Sequence, residues 1–108
     1  MRFQWDPVDG ELLHIWLKPA KMEPEKELML AVLESAIEDF QKYAFARGHR
    51  GRMLFENAEQ WILEKDNDWF LSFESICETF SLDANYLRRG LLRWREAQRS
   101  RLQKSNAA

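Results

Sequence analysis

The sequence predicts an all-α domain of about four helices, ending in a helical corner and preceded by an arm that can form a short β element. Three observations predict it. After residue 24, apolar residues recur at three- and four-residue steps, the spacing of one helix face. The breaks fall at discrete points: Pro24, Gly48 with Gly51, Asp66-Asn67-Asp68, and Ser81-Leu82-Asp83. A chain of 108 residues with 45% apolar content suits one hydrophobic core rather than two.

Residues 1–23 form the arm. Trp5-Asp6-Pro7-Val8-Asp9-Gly10 has turn chemistry, and residues 12–17 are mostly apolar, with Pro19 ending the run. Asp9-Gly10 can turn a hairpin from residues 2–5 into 12–17. The same run reads equally as one helical turn docked on the core, or as a flexible arm.

The helical domain covers residues 24–102. Pro24 suits a first helical turn, and Glu25 and Glu27 favour the positive end of the helix dipole. Leu28, Leu30, Ala31, Leu33, Ala36, Ile37, Phe40, Tyr43 and Ala44 then predict a helix of about six turns over 24–46. Its apolar face is broad, as in a core helix or a dimer seam. Residues 47–52 read as a basic loop broken by two glycines. A second helix is predicted over 52–65, with Phe55, Ala58, Trp61 and Ile62 inward. Ser72 is a good N-cap for a short third helix over 73–80, and Asp83 for a fourth from Ala84 to about Arg101. Residues 103–108 are expected to fray.

Composition narrows the function. One cysteine, Cys77, excludes an internal disulfide framework and any multi-cysteine zinc site. The first residues lack the apolar stretch of a secretory signal, and no apolar run approaches the ~20 residues of a membrane span. A soluble cytoplasmic protein without membrane contact is expected. No cofactor is expected. His14 and His49 have no ligand pattern around them, so no metal site is expected. No phosphate-cradling Gly motif, Gly-x-Ser-x-Gly or His-Glu-x-x-His is present, and Cys77 falls at an inward helix position without a His or Lys nearby. No catalytic residue is therefore assigned, and the chain is expected not to be an enzyme.

Charge is divided unevenly. Residues 86–108 hold Arg88, Arg89, Arg93, Arg95, Arg99, Arg101 and Lys104 against the single acid Glu96. That tail carries +6, so with a total of −2 residues 1–85 carry −8. A concentrated positive surface attracts a polyanion, and Arg suits the forked recognition of phosphate. The plain reading is a solvated helix end, where cations favour the negative pole of the dipole.

The stretch from Phe73 to Leu92, with Ile76, Cys77, Phe80, Ser81, Leu82, Leu87 and Gly90 at the positions that lock two steeply crossing helices, resembles a DNA-binding helix-turn-helix. Cys77 stands where such proteins often have Ala, and Ser81 where Gly is common. The Ser leaves room for a different turn, as in the sigma-factor or Trp-repressor-like versions. Taken through the last helix, the motif covers residues 73–101. The resemblance implies that the helix starting at Ala84 enters the major groove with its first residues on base edges. With Leu87, Leu91 and Trp94 inward, the outward set is Ala84, Asn85, Arg88, Arg89, Leu92 and Arg95 or Arg99. Asn85 then suits adenine, and Arg88 or Arg89 guanine. Arg93, Arg95 and Arg99 lie where phosphates are expected, and Arg50 and Arg52, with Arg47 and His49, offer a further phosphate contact. The competing roles are helix capping for Asn85 and pairing with Glu74 or Glu78 for Arg88 and Arg89.

Two functions are therefore expected. The first is a transcriptional regulator of bacterial type binding double-stranded DNA, as a homodimer through helix 24–46 and the N-terminal arm. The alternative is a non-catalytic protein–protein interaction module that keeps the helix-turn-helix shape, its five tryptophans and many arginines serving as anchors for a protein partner.

Overall fold

The computed structural model describes residues 22–106. Among them stand four helices and no strand: α1 (Pro24–Lys42), α2 (His49–Leu63), α3 (Phe73–Thr79) and α4 (Ala84–Asn106). The all-α class is as expected. The hairpin, helical-turn and arm readings made for residues 1–23 lie outside the described residues up to residue 21.

Pro24 opens α1, Glu25 and Glu27 stand in its first turn, and Lys42 in its last. Met29, Leu30, Leu33, Ile37 and Phe40 are buried along one face. Leu33, Ile76 and Phe73 are completely enclosed, and burial of such a side chain contributes roughly 1.5–3 kcal/mol. These five residues put one face of α1 in the chain's own core.

The helix stops at Lys42, four residues before the expected end. Ala44 and Phe45 turn the chain after the C-cap Tyr43, and the Ala46 amide donates to the Tyr43 carbonyl at 3.1 Å. Gly51 permits the close turn that follows. A Cβ there would lie 2.7 Å from Ala46 Cβ and 3.1 Å from Tyr43 Cδ1. The turn is seated on the first turn of α2, and only a hydrogen fits between them. Gly51 is therefore inside α2, where a helix break was expected. Gly48 alone acts as the break, as the extended N-cap.

Ala58 and Ile62 of α2 are buried, and Phe55 and Trp61 pack against the same core. Phe40 meets Phe55 at 5.0 Å between ring centroids, and Trp61 meets Phe73 edge-on at 5.6 Å. The α2–α3 loop is tied at several points. Trp61 Nε1 donates to the Leu71 carbonyl, Ser72 Oγ to the Asn67 carbonyl, and the Trp69 amide to Asn67 Oδ1. The Asp66 amide donates to Glu74 Oε1 at 2.9 Å, with Asp66 itself in the left-handed region at φ 59°.

At the other end, α4 runs to Asn106, past the expected end near Arg101 and through part of the segment expected to fray. Its 23 residues span about 34 Å.

Candidate nucleic-acid interface

The α3–α4 corner is built from local signals. Ser72 Oγ accepts from the Ser75 amide at 3.1 Å and caps α3. At the far end, the Ser81 amide donates to the Glu78 carbonyl and the Leu82 amide to the Cys77 carbonyl at 2.7 Å. These are the two bonds of a Schellman motif, with Ser81 as the left-handed residue at φ 57°. The position where Gly is common thus keeps the glycine-like backbone with a serine. Leu82 follows and packs against the core. Asp83 Oδ1 accepts from the Tyr86 amide at 3.1 Å and caps α4, as expected. Ile76, Cys77, Leu87 and Leu91 close the corner. Burial pushes the Cys77 thiol up to about 12, against a smaller opposing effect of Arg88.

The sequence placed Arg88 outward, and the structure corrects this. Arg88 is 4% exposed. Its Nε donates to the Ile62 carbonyl at 2.7 Å and its Nη2 to the Glu64 carbonyl at 2.8 Å. Its Nη1 donates to Glu74 Oε2 at 3.0 Å and to Asn85 Oδ1 at 3.2 Å. The guanidinium also stands 5.0 Å from the centroid of the Phe73 ring. Arg88 therefore closes the C-terminal end of α2, whose last carbonyls lack intrahelical partners. The pairing with Glu74 weighed from the sequence is the one present. That bond, after the larger effect of the Asp66 amide, holds the Glu74 carboxyl below the usual carboxylate range.

Arg95 is a second correction. It pairs with Glu59 of α2, and its guanidinium lies 5.7 Å from the Phe40 ring centroid and 5.8 Å from that of Phe55. Ala84 and Leu92, also placed outward, pack against the core. Gly90, counted from the sequence among the positions that lock the crossing, has nothing within 4 Å of where a Cβ would stand.

The remaining candidates divide into three groups. Arg89 and Arg93 are exposed one helical turn apart, with no hydrogen-bond or ion-pair partner among the described residues. Asn85 is exposed beside them, its Oδ1 held by Arg88. Arg99 is exposed and paired with Glu96 on the same helix. Arg50 and Arg52 are exposed in the first turn of α2, which contains no acid. The contacts of Arg88 with Ile62 and Glu64, and of Arg95 with Glu59, show α2 and α4 running in opposite directions. Arg50 and Arg52 therefore stand toward the C-terminal end of α4, away from Asn85, Arg89 and Arg93. Of the arginines of α4 expected to face outward, Arg88 is buried and Arg95 is held against α2, and Arg50 and Arg52 form a basic surface apart from the start of α4.

The inward turn had a legible signal. Arg88, Leu91 and Arg95 stand at i, i+3 and i+7, which is one helix face. Sequence reasoning also passed over Tyr86, half exposed on the first turn of α4, and the exposed Trp69–Phe70 pair. Among the described residues no group of three or more His, Cys, Asp or Glu could hold a metal ion, and no helix is long and apolar enough to cross a membrane. Comparison with protein-family models, with curated proteins and with solved structures finds no match to this chain.

Proposed function

We propose that this chain binds double-stranded DNA through the start of α4, as a cytoplasmic transcriptional regulator. The observation that carries the reading is the set of side chains exposed beyond the capped corner. Asn85, Tyr86, Arg89 and Arg93 share the solvent side of α4, while Leu87 and Leu91 anchor its other side. Those are the first turns of the second helix, the part that meets base edges in this kind of corner. Arg89 is the residue for guanine, and Asn85 the residue for adenine. Arg93, one turn on, is suited to a phosphate. Arg88 moves from reading residue to positioning residue, since its Nη1 holds the Asn85 amide oxygen. Two copies on a palindromic site would double a small set of base contacts.

A mobility shift titrated with salt tests the reading. Binding should weaken steeply as salt rises, and Arg89→Ala with Arg93→Ala should reduce both affinity and the salt slope. Failure of random and selected duplexes to bind at low salt would exclude it.

The second reading, a non-catalytic protein-interaction module, is supported by the burial of Arg88 and the pairing of half-buried Arg95 with Glu59, which reduce the free cations of α4, and by the exposed aromatic pair of the α2–α3 loop. Loss of all DNA binding with the fold intact would favour it.

A further inference from the structure

We propose that copies of this chain associate head to tail, the acidic aromatic loop of one copy seating on the basic end of the next. The inference stands apart from the DNA reading. It rests on two exposed apolar patches of opposite charge at the two ends of α2.

At the C-terminal end, Trp69 and Phe70 are 55% and 51% exposed and meet edge-on at 6.3 Å. Exposed Glu64, Asp66 and Asp68 surround them in sequence, against one Lys65. The hydrogen bonds of Trp69, Asp66 and Ser72 already fix this loop, so little ordering is left for binding to impose. Two large aromatics held in place on an acidic loop have the character of interface anchors.

At the N-terminal end, Arg47, His49, Arg50 and Arg52 are exposed, and no acid occurs between Tyr43 and Phe55. Two exposed apolar side chains, Phe45 and Met53, stand among them. The result is an apolar patch with a basic rim.

The 15 residues of α2, about 22 Å long, stand between the two patches. They lie at opposite ends of one rigid element, so they cannot meet within a chain. Between two copies they are complementary in charge, and both are apolar at the centre. Such a contact is heterologous and extends to chains or rings.

Sedimentation of the full chain at rising concentration tests the proposal. At low salt the mass should rise above the 13.0 kDa monomer, and it should fall back to it as salt screens the charges. Trp69→Ser with Phe70→Ser removes one end, and Arg50→Glu with Arg52→Glu the other. Each variant alone should be monomeric with an unchanged helical spectrum, because all four side chains are exposed. Mixed in equal amounts, the two variants should form a two-chain complex and nothing larger, since each retains the end the other lacks. A monomeric wild type at low salt overturns the proposal. So does a dimer that survives in both variants, or a mixture that stays monomeric.

Discussion

Arg88 donates from Nε to the carbonyl of Ile62 at 2.7 Å, joining the start of α4 to the end of α2 across 26 residues. Its other nitrogens reach Glu64, Glu74 and Asn85, so one guanidinium holds α2, α3 and α4 in register. Charge-assisted bonds of this kind are the stronger class, and the fork shape lets one side chain serve several acceptors. Arg88→Ala should cost about 2–4 kcal/mol, because two inter-helix carbonyl contacts and a carboxylate lose their donor together. Arg88→Lys should recover little of it, since an ammonium on a flexible stem cannot reproduce the fork. Arg89→Ala, at an exposed position, should stay within about 0.5 kcal/mol of the parent. Urea midpoints of the three variants separate these outcomes, and equal losses at positions 88 and 89 would contradict the assignment.

The helical glycines should respond in opposite directions. Gly90 lies inside α4 with open space where a Cβ would go. Gly90→Ala should therefore stabilise by about 0.5–1 kcal/mol through helix propensity alone. Gly51→Ala places its methyl 2.7 Å from Ala46 Cβ, so the α1–α2 turn must shift. Thermal unfolding should show Tm rising for the first and falling for the second. A rise for both would mean that the turn yields easily.

Ser81 occupies left-handed backbone at φ 57° in the turn between α3 and α4. A side chain there carries a penalty of roughly 1 kcal/mol that glycine avoids. Ser81→Gly should raise the unfolding midpoint, and Ser81→Val should lower it, since a β-branched residue tolerates this region least. No difference between the two would argue against the Schellman turn.

Stability should depend on Glu74 in acid. The Asp66 amide and then Arg88 hold its carboxyl below the usual carboxylate range. Folding thus lowers its affinity for a proton, and the unfolded chain is the form that takes one up. The stabilisation is complete above the ordinary carboxylate range and is lost as pH falls through it toward the folded value. Glu74→Gln should be less stable than the parent near neutrality, and the gap should narrow as the pH falls below the ordinary carboxylate range. Parallel curves for the two proteins would break the linkage.

The parts legible in the sequence were the ones governed by neighbours a turn or less away. Ser72 and Asp83 cap α3 and α4 because capping joins a side chain to an amide three residues on. The inward faces of α1 and α2 follow from helical spacing for the same reason. The close turn after α1 was not legible, because it depends on the approach of Gly51 to Ala46.

The sequence by itself determined an all-α chain, its breaks, and a capped corner carrying many arginines. Helical spacing puts Arg88 and Arg95 on the face of Leu91, and tertiary structure decided which acceptors meet them there. The acceptors of Arg88 lie 14 to 26 residues away on other elements, apart from Asn85 on its own helix. A count of charges along a helix cannot anticipate that, since a guanidinium turns inward only when carbonyls and a carboxylate from elsewhere converge to replace its water.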